Sequence, residues 1–121
     1  NYLVGNEDMH LKNYSVITQG GKIELSPAYD LLNSTIVLKG DPEEIALPLK
    51  GKKRHFNRTI LVHYFGKERC NLTEVTIGKI LKIVGEGIPL WLGMIEISFL
   101  TAEMKDKYRN LLLSRAHVLG F

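Results

Sequence analysis

One segment near the N-terminal end has a clear strand–turn–strand pattern. It reads Tyr14-Ser15-Val16-Ile17-Thr18-Gln19-Gly20-Gly21-Lys22-Ile23-Glu24-Leu25. Residues 14–18 are rich in β-branched and aromatic types, and residues 23–25 alternate apolar and polar side chains. Between them, Gly20 and Gly21 predict a hairpin turn, because glycine reaches positive φ without steric cost. Pro27 cannot donate to a strand ladder, so we expect the hairpin to end at Ser26.

A polar segment precedes this hairpin. It reads Asn6-Glu7-Asp8-Met9-His10-Leu11-Lys12-Asn13. Six of these eight residues are polar or ionisable, although apolar elements flank both ends. Short polar loops between core elements often carry functional groups. Asp8 and Asn13 are five positions apart, and Asp30 follows the hairpin.

The order of these residues is the order used in phosphoryl transfer by protein kinases. There, a loop Asp accepts the hydroxyl proton, while an Asn later in the loop and an Asp beyond the next two strands bind Mg²⁺. Mg²⁺ is a hard cation that prefers oxygen ligands, so an amide and a carboxylate from opposite sides of a hairpin can hold it. Asn and Asp are also ordinary turn residues that bond their own backbone. On spacing alone, a catalytic and a structural role both remain open.

Residues 58–121 carry helical periodicity, and we predict four helices there. Their bounds are about 59–66, 73–84, 89–99 and 101–119. Asn57 is a suitable N-cap for the first helix, and Pro89 is a suitable first-turn residue for the third. In the last helix, Thr101 can cap the N-terminus and Gly120 can end the C-terminus.

The helix patterns also predict which side chains are buried. In the last helix, the predicted buried stripe consists of Met104, Tyr108, Leu111, Leu112, Val118 and Leu119. The cations predicted to face water are Lys105, Lys107, Arg109 and Arg115. On the third helix, Trp91, Met94 and Ile95 share one face and are predicted to belong to the core. Ahead of the helices, residues 36–38 are a candidate short strand, and Gly40-Asp41-Pro42 is a turn signal.

Composition indicates one ordinary globular domain. The chain has 121 residues and a mass of 13.7 kDa, with 45% hydrophobic and 24% charged residues. These values exclude a disordered, collagen-like or low-complexity chain. The apolar run 88–100 contains Glu96 and is too short to cross a membrane. A formal charge of +3 is smaller than a dedicated nucleic-acid binder usually carries.

Three features bear on the cellular setting. Cys70 is the single cysteine, so no internal disulfide is possible. No charged region leads into an apolar core at the N-terminus, which argues against a signal peptide and predicts a cytoplasmic protein. The chain begins at Asn1 rather than at Met, directly on an apolar run, which indicates a piece of a longer protein.

Two segments together resemble one known family. They read Gly5-Asn6-Glu7-Asp8-Met9-His10-Leu11-Lys12-Asn13-Tyr14-Ser15 and Leu25-Ser26-Pro27-Ala28-Tyr29-Asp30-Leu31-Leu32. The first resembles the catalytic segment, and the second the metal-binding segment, of the HipA family of toxin kinases. The resemblance implies an α+β fold, mainly α, in which a β-hairpin precedes a helical bundle, as in the C-terminal lobe of a protein kinase. Within one lobe covering 1–121, we expect the catalytic and metal-binding segments in 1–32, an irregular region with a basic loop in 33–57 and the bundle in 58–121.

This resemblance also implies a function. HipA proteins are bacterial serine/threonine kinases of toxin–antitoxin systems that use ATP and Mg²⁺. They phosphorylate an aminoacyl-tRNA synthetase, and HipB, a small DNA-binding antitoxin, neutralises them. By the motif, Asp8 is the expected catalytic base, and Asn13 and Asp30 are the expected Mg²⁺ ligands. His10 and Lys12 match the motif too: we expect Lys12 to neutralise phosphate charge and His10 to brace the loop, although a structural role for His10 remains open.

Parts of a nucleotide site do not occur in the sequence. It contains no Gly-x-Gly-x-x-Gly and no Gly-Lys-Ser/Thr. We therefore expect the loop that covers the nucleotide, and the Lys that binds its phosphates, in an N-terminal lobe outside this chain. The chain by itself is expected to be inactive.

A basic loop supports an alternative. Its cations are Lys50, Lys52, Lys53, Arg54 and Arg58. They are candidates for contact with DNA, tRNA or an acidic partner surface, or they belong to a solvated loop. In the alternative, the chain is a non-catalytic interaction module that docks an antitoxin or nucleic acid through its helices and this loop.

Overall fold

The computed structural model describes residues 1–38, 40 and 42–121. As predicted, the chain is α+β and mainly α, with an antiparallel hairpin at the N-terminal end followed by helices. In order, the elements are a 3₁₀ turn (Leu11–Asn13), β1 (Val16–Gln19), β2 (Lys22–Leu25), a π-helix (Thr59–Arg69), α1 (Glu74–Ile97) and α2 (Ala102–Leu119).

The predicted hairpin is confirmed. β1 and β2 pair with Val16 opposite Leu25 and Gln19 opposite Lys22. Gly20 and Gly21 have φ values of 58° and 78°, as a two-residue turn with two positive φ angles requires. All eight strand residues are exposed, so the hairpin projects from the rest of the protein.

The first helix is longer than predicted and has π geometry. It runs over Thr59–Arg69, and after it the Cys70 N–H donates to the Phe65 carbonyl oxygen at 2.9 Å, five residues back. The Asn57 Oδ1 accepts a hydrogen bond from the Ile60 N–H at 2.9 Å, which is the capping contact expected of Asn57.

The predicted break between the second and third helices is wrong. A single helix, α1, runs through this region with Pro89 in its interior, so the described residues contain three helices of more than one turn rather than four. Proline removes one backbone donor, at a cost of about 3 kcal/mol. Along α1, however, Ile77, Ile88 and Ile95 are buried, and each such side chain contributes about 1.5–3 kcal/mol. Tertiary burial therefore outweighs the local break signal.

The last helix is confirmed together with both of its ends. α2 begins after Thr101, whose Oγ1 accepts a hydrogen bond from the Met104 N–H at 3.3 Å. Gly120 ends it with a φ of 87°, a left-handed conformation that favours glycine. α2 packs on α1, and Leu112 at its centre is completely buried.

Three further predictions are wrong, each because of tertiary context. Arg115 does not face water but is buried, with 6% of its surface exposed, because the N-terminal segment packs over it. Met94 is 64% exposed rather than part of the core. Residues 36–38 form a turn instead of a strand, because the Val37 and Leu38 N–H groups both donate to the Ser34 carbonyl oxygen. Asp41, in the predicted turn signal, lies outside the described residues.

A close backbone contact brings the segment after β2 back to the segment before β1. The Gly5 carbonyl oxygen accepts from the Thr35 N–H at 3.0 Å and from the Thr35 Oγ1 at 2.9 Å. Gly5 has a φ of 77°, and a Cβ at this position would lie 2.4 Å from Asn33 Oδ1. The contact therefore requires glycine, and it holds residues 5–9 near residues 30–35.

Candidate active site

Asn13 and Asp30 meet at the base of the hairpin. Asn13 ends the 3₁₀ turn just before β1, and Asp30 lies a few residues beyond β2. The Asn13 Nδ2 donates to the Asp30 Oδ2 at 2.7 Å and to the Asp8 main-chain carbonyl oxygen at 3.1 Å. The structure thus brings the two expected metal ligands into contact and attaches both to the loop of the expected base.

The backbone of Asp30 has a left-handed conformation, with a φ of 55°. Asp visits this region more readily than most residues, but the conformation still needs support. Asn6 supplies that support, because its Nδ2 donates to the Asp30 carbonyl oxygen at 3.0 Å. The Asn6 Oδ1 accepts from the Asp8 N–H at 3.3 Å. Asn6 is 1% exposed, and sequence reasoning assigned it no role, because no periodic pattern marks a buried residue in a polar loop.

The Asp8 carboxylate itself is open to solvent, with 65% of the side chain exposed. Its Oδ1 lies 4.0 Å from His10 Nε2, and the His10 N–H donates to the Asp8 carbonyl oxygen at 2.8 Å. His10 thus lies next to the carboxylate, and the bracing role expected of it stays a prediction. Lys12 is exposed, and its carbonyl oxygen accepts from the Tyr29 hydroxyl at 3.2 Å. This last bond is a further link between the segments on either side of the hairpin.

Behind the loop lies a buried charged group that sequence reasoning missed. The Arg115 Nη1 donates to the Tyr2 carbonyl oxygen, and the guanidinium carbon lies 5.1 Å from the centroid of the Tyr2 ring. Burial lowers the pKa of Arg115, and it raises the pKa of Tyr2 to about 12. Glu7 Oε2 is buried with no hydrogen-bond partner among the described residues, and burial raises the pKa of the Glu7 carboxyl while Arg115 opposes that rise.

The donor set at Asn13 and Asp30 fits Mg²⁺. Both residues offer an oxygen, and the Asp30 side chain is exposed, so a cation can approach it. In the described part of the chain, no three His, Cys, Asp or Glu side chains are grouped so that they could hold a metal ion by themselves. Mg²⁺ usually takes only one or two protein ligands and completes its shell with water and substrate phosphates, which matches a site of one carboxylate and one amide.

The basic loop is built on a tight turn. Leu49 and Lys52 exchange two backbone hydrogen bonds of 2.8 and 3.0 Å. Lys50 Nζ lies 4.5 Å from the centroid of the Tyr64 ring, and Lys53 Nζ lies 2.9 Å from Glu43 Oε2. Lys50 and Lys53 therefore already have partners within the chain. Contact of the five cations of this loop with nucleic acid or a partner remains a prediction.

Fold and site together define a mainly helical α+β chain with a paired amide and carboxylate at the base of an N-terminal hairpin. The model of the HipA-like C-terminal domain family matches residues 1–90, and the chain belongs to this family. The match covers the hairpin, the π-helix and most of α1, and it confirms the resemblance carried by the two N-terminal segments. Membership is consistent with a kinase parent in a toxin–antitoxin system. Among the described residues, no helix combines the length and apolar character needed to span a membrane.

Proposed function

We propose that the chain is the C-terminal part of a HipA-like serine/threonine kinase toxin. In the full-length protein it would help to transfer the γ-phosphoryl group of ATP to a protein hydroxyl. The observation that supports this most is the 2.7 Å contact between Asn13 and Asp30, with the Asn13 amide also bonded to the Asp8 carbonyl oxygen. One amide thus links the three residues that the family motif assigns to catalysis.

Asp8 is the proposed base. Its carboxylate is exposed and lies outside the Asn13–Asp30 pair, so it is free to accept a hydrogen bond from an incoming hydroxyl. As the hydroxyl oxygen bonds to the γ-phosphorus, the bond from that phosphorus to the β–γ bridging oxygen would break, ADP would leave with this oxygen, and the hydroxyl proton would pass to Asp8. His10, whose Nε2 lies 4.0 Å from the Asp8 Oδ1, is proposed to brace the loop.

Asn13 and Asp30 are the proposed Mg²⁺ ligands. A bound Mg²⁺ would neutralise charge on the β- and γ-phosphates. In the structure the Asn13 Nδ2, not its Oδ1, faces Asp30 and the Asp8 carbonyl oxygen. Binding Mg²⁺ through Asn13 would therefore require the amide to turn over, so that the bound cation replaces these two hydrogen bonds. Lys12, the exposed residue directly before Asn13, is proposed to neutralise further phosphate charge. The glycine-rich loop and phosphate-binding Lys would come from sequence outside this chain.

The proposed substrate and partner follow from family membership. The family's substrate class is an aminoacyl-tRNA synthetase, and a HipB-like DNA-binding antitoxin is the proposed partner, through which any contact with DNA would be indirect or weak. The cytoplasm is the proposed location.

A phosphotransfer assay of the full-length protein tests the proposal. With radiolabelled ATP and Mg²⁺, we expect label on a seryl or threonyl hydroxyl of a protein. The Asp8→Asn variant should lose at least about a hundredfold in rate, as expected for removal of a general base, with an unchanged circular dichroism spectrum. Glu24→Gln is a matched control, because Glu24 is an exposed carboxylate on β2. Retained transfer by Asp8→Asn would remove Asp8 as the base.

A further inference from the structure

Arg115 is a buried cation for which the proposed mechanism has no use. It lies on α2, outside the residues 1–90 that match the family, and only 6% of its surface is exposed. Burying a guanidinium is costly unless its donors and its charge are satisfied. A hydrogen bond and a ring contact both join Arg115 to Tyr2. Its attractive electrostatic interactions are with Glu44, Tyr2 and Glu7, and none of these residues lies on α2.

The hydrogen bond from Arg115 to Tyr2 holds the turn that precedes the loop of Asp8. The Tyr2 carbonyl oxygen accepts from Arg115 Nη1 and also from the Gly5 N–H at 3.4 Å, which closes the turn 2–5. The Tyr2 ring lies under the guanidinium and meets the buried Phe56 ring edge-on, with centroids 6.2 Å apart. The turn is therefore held at its backbone and at its side chain.

The charge of Arg115 has two nearby carboxylates. Glu44 and Glu7 both interact with it electrostatically. Glu44 Oε2 also accepts from the Phe56 N–H at 3.0 Å, and Glu7 is the residue directly before Asp8. Arg115 thus joins α2 to Tyr2 by direct contact, and it interacts electrostatically with Glu44 and with Glu7, the neighbour of Asp8.

Asn6 links the turn 2–5 to both the Asp8 segment and the Asp30 segment. It directly follows the turn that Arg115 holds. Its side chain accepts from the Asp8 N–H and donates to the Asp30 carbonyl oxygen. Asn6 is fully buried, so its side chain is confined, and a shift of the turn before it would shift its amide as well.

We infer that Arg115 is a positioning residue, which sets Asp8 relative to Asp30 through the Tyr2 carbonyl and the Asn6 amide. The catalytic consequence of this inference rests on the proposed function. The structural consequence, the placement of the Asp8 backbone, does not.

The kinetic test uses the full-length protein with Arg115→Met, Arg115→Lys and the control Arg109→Met. Arg109 lies on the same helix, but it is paired with Glu96 and Asp106 and contacts no residue of the N-terminal loop through a bond among the described residues. We expect kcat of Arg115→Met to fall about 10- to 100-fold with KM for ATP within about twofold, the pattern of a misplaced catalytic group. Arg115→Lys keeps the charge but not the planar fork, so it should recover part of kcat, and Arg109→Met should match the wild type.

Hydrogen exchange of individual amides is the second measurement. Loss of a residue that only stabilises the fold would not raise the exchange rate of one amide selectively. We expect the Asp8 amide to exchange at least about tenfold faster in both Arg115 variants, while the amides of β1 and β2 keep their rates. If Arg115→Met fails to fold, Arg115→Lys carries both measurements.

The two failures can be told apart. A wild-type protein without phosphotransfer would refute the proposed function, and the Asp8 exchange rate would still test the placement. An unchanged kcat in both Arg115 variants of an active enzyme would overturn the inference. So would an increase in exchange that is the same for every amide of the chain.

Discussion

The amide of Asn6 and the main-chain carbonyl of Asp30 are joined by a 3.0 Å hydrogen bond across 24 residues of sequence. The opposite end of the same amide holds the Asp8 N–H. One buried side chain therefore sets the spacing of two segments that lie on either side of the hairpin. Because the carboxylates of Asp8 and Asp30 are both exposed, hydrogen-bonded links such as those through Asn6 and Asn13, rather than burial of the carboxylates, limit their relative positions.

Replacing Asn6 by Ala should destabilise the chain. The substitution leaves the Asp30 carbonyl oxygen and the Asp8 N–H without their side-chain partner, which typically costs about 1–3 kcal/mol for a buried site. The measurement is urea denaturation of the chain followed by circular dichroism. The control is Asn110→Ala, at an exposed position of α2, where we expect a change within about 0.5 kcal/mol. Equal losses in the two variants would contradict the bridging role of Asn6.

Replacing Asp30 by Asn should weaken Mg²⁺-dependent ATP binding by the full-length protein. Asn tolerates the left-handed φ of 55° as well as Asp does, so the backbone is kept while one charged ligand is lost. We expect a loss of at least about tenfold in affinity when Mg²⁺ is present and little change when it is chelated, both measured by calorimetry. Asp30→Ala should also lose this binding, with added backbone strain. Unaltered Mg²⁺-dependent binding would refute the ligand role.

Two glycines with the same φ should respond differently to Ala. Gly5 and Gly21 have φ values of 77° and 78°. In each variant, an Ala in this left-handed conformation should lower the free energy of unfolding by about 1–2 kcal/mol. A Cβ on Gly5 would also lie 2.4 Å from Asn33 Oδ1 and 2.6 Å from Leu111 Cδ2, whereas a Cβ on Gly21 meets no described atom within 4 Å. We expect Gly5→Ala to lower the free energy of unfolding by about 1–3 kcal/mol more than Gly21→Ala does, because of overpacking. Thermal unfolding compares the two, and similar losses would show that the contact at Gly5 is loose.

The basic loop can be tested for contact with nucleic acid. If it makes that contact, the logarithm of the affinity for a DNA duplex should fall linearly with the logarithm of salt concentration, with a slope of about −0.9 for each neutralised phosphate. Changing Lys52 and Arg58 to Gln should then weaken binding and flatten this slope in an anisotropy titration. Lys107→Gln is the control, because Lys107 is an α2 cation paired with Glu103. An unchanged affinity in the double variant would dismiss the loop as the contact surface.

Local signals were enough to predict the hairpin and α2. In both, the residues that end the element act on their immediate neighbours: two glycines with positive φ close the turn, and Thr101 and Gly120 end α2. The hairpin also brings the segments before β1 and after β2 to the same end, which favours the approach of Asn13 to Asp30.

The features that sequence did not predict depend on contacts between distant residues. Pro89 is a local break signal, but buried isoleucines on either side of it keep α1 continuous. In the sequence, Arg115 fits the polar face of an amphipathic helix. It is buried in the structure because Tyr2, 113 positions away in the sequence, packs over it. Asn6 follows no periodicity at all, so its role became visible only when the Asp30 carbonyl was placed beside it.

The hairpin has a consequence for how long the site stays assembled. Every residue of β1 and β2 is exposed, including the apolar Val16, Ile23 and Leu25, so little buried surface opposes a local opening of the two strands. Such an opening would free the chain between Asn13 and Asp30 without unfolding the helices. The lifetime of the Asn13–Asp30 pair then depends on the few hydrogen bonds at the base of the hairpin rather than on the stability of the whole protein. One of these is the 2.8 Å bond between the Ser15 and Ser26 hydroxyls.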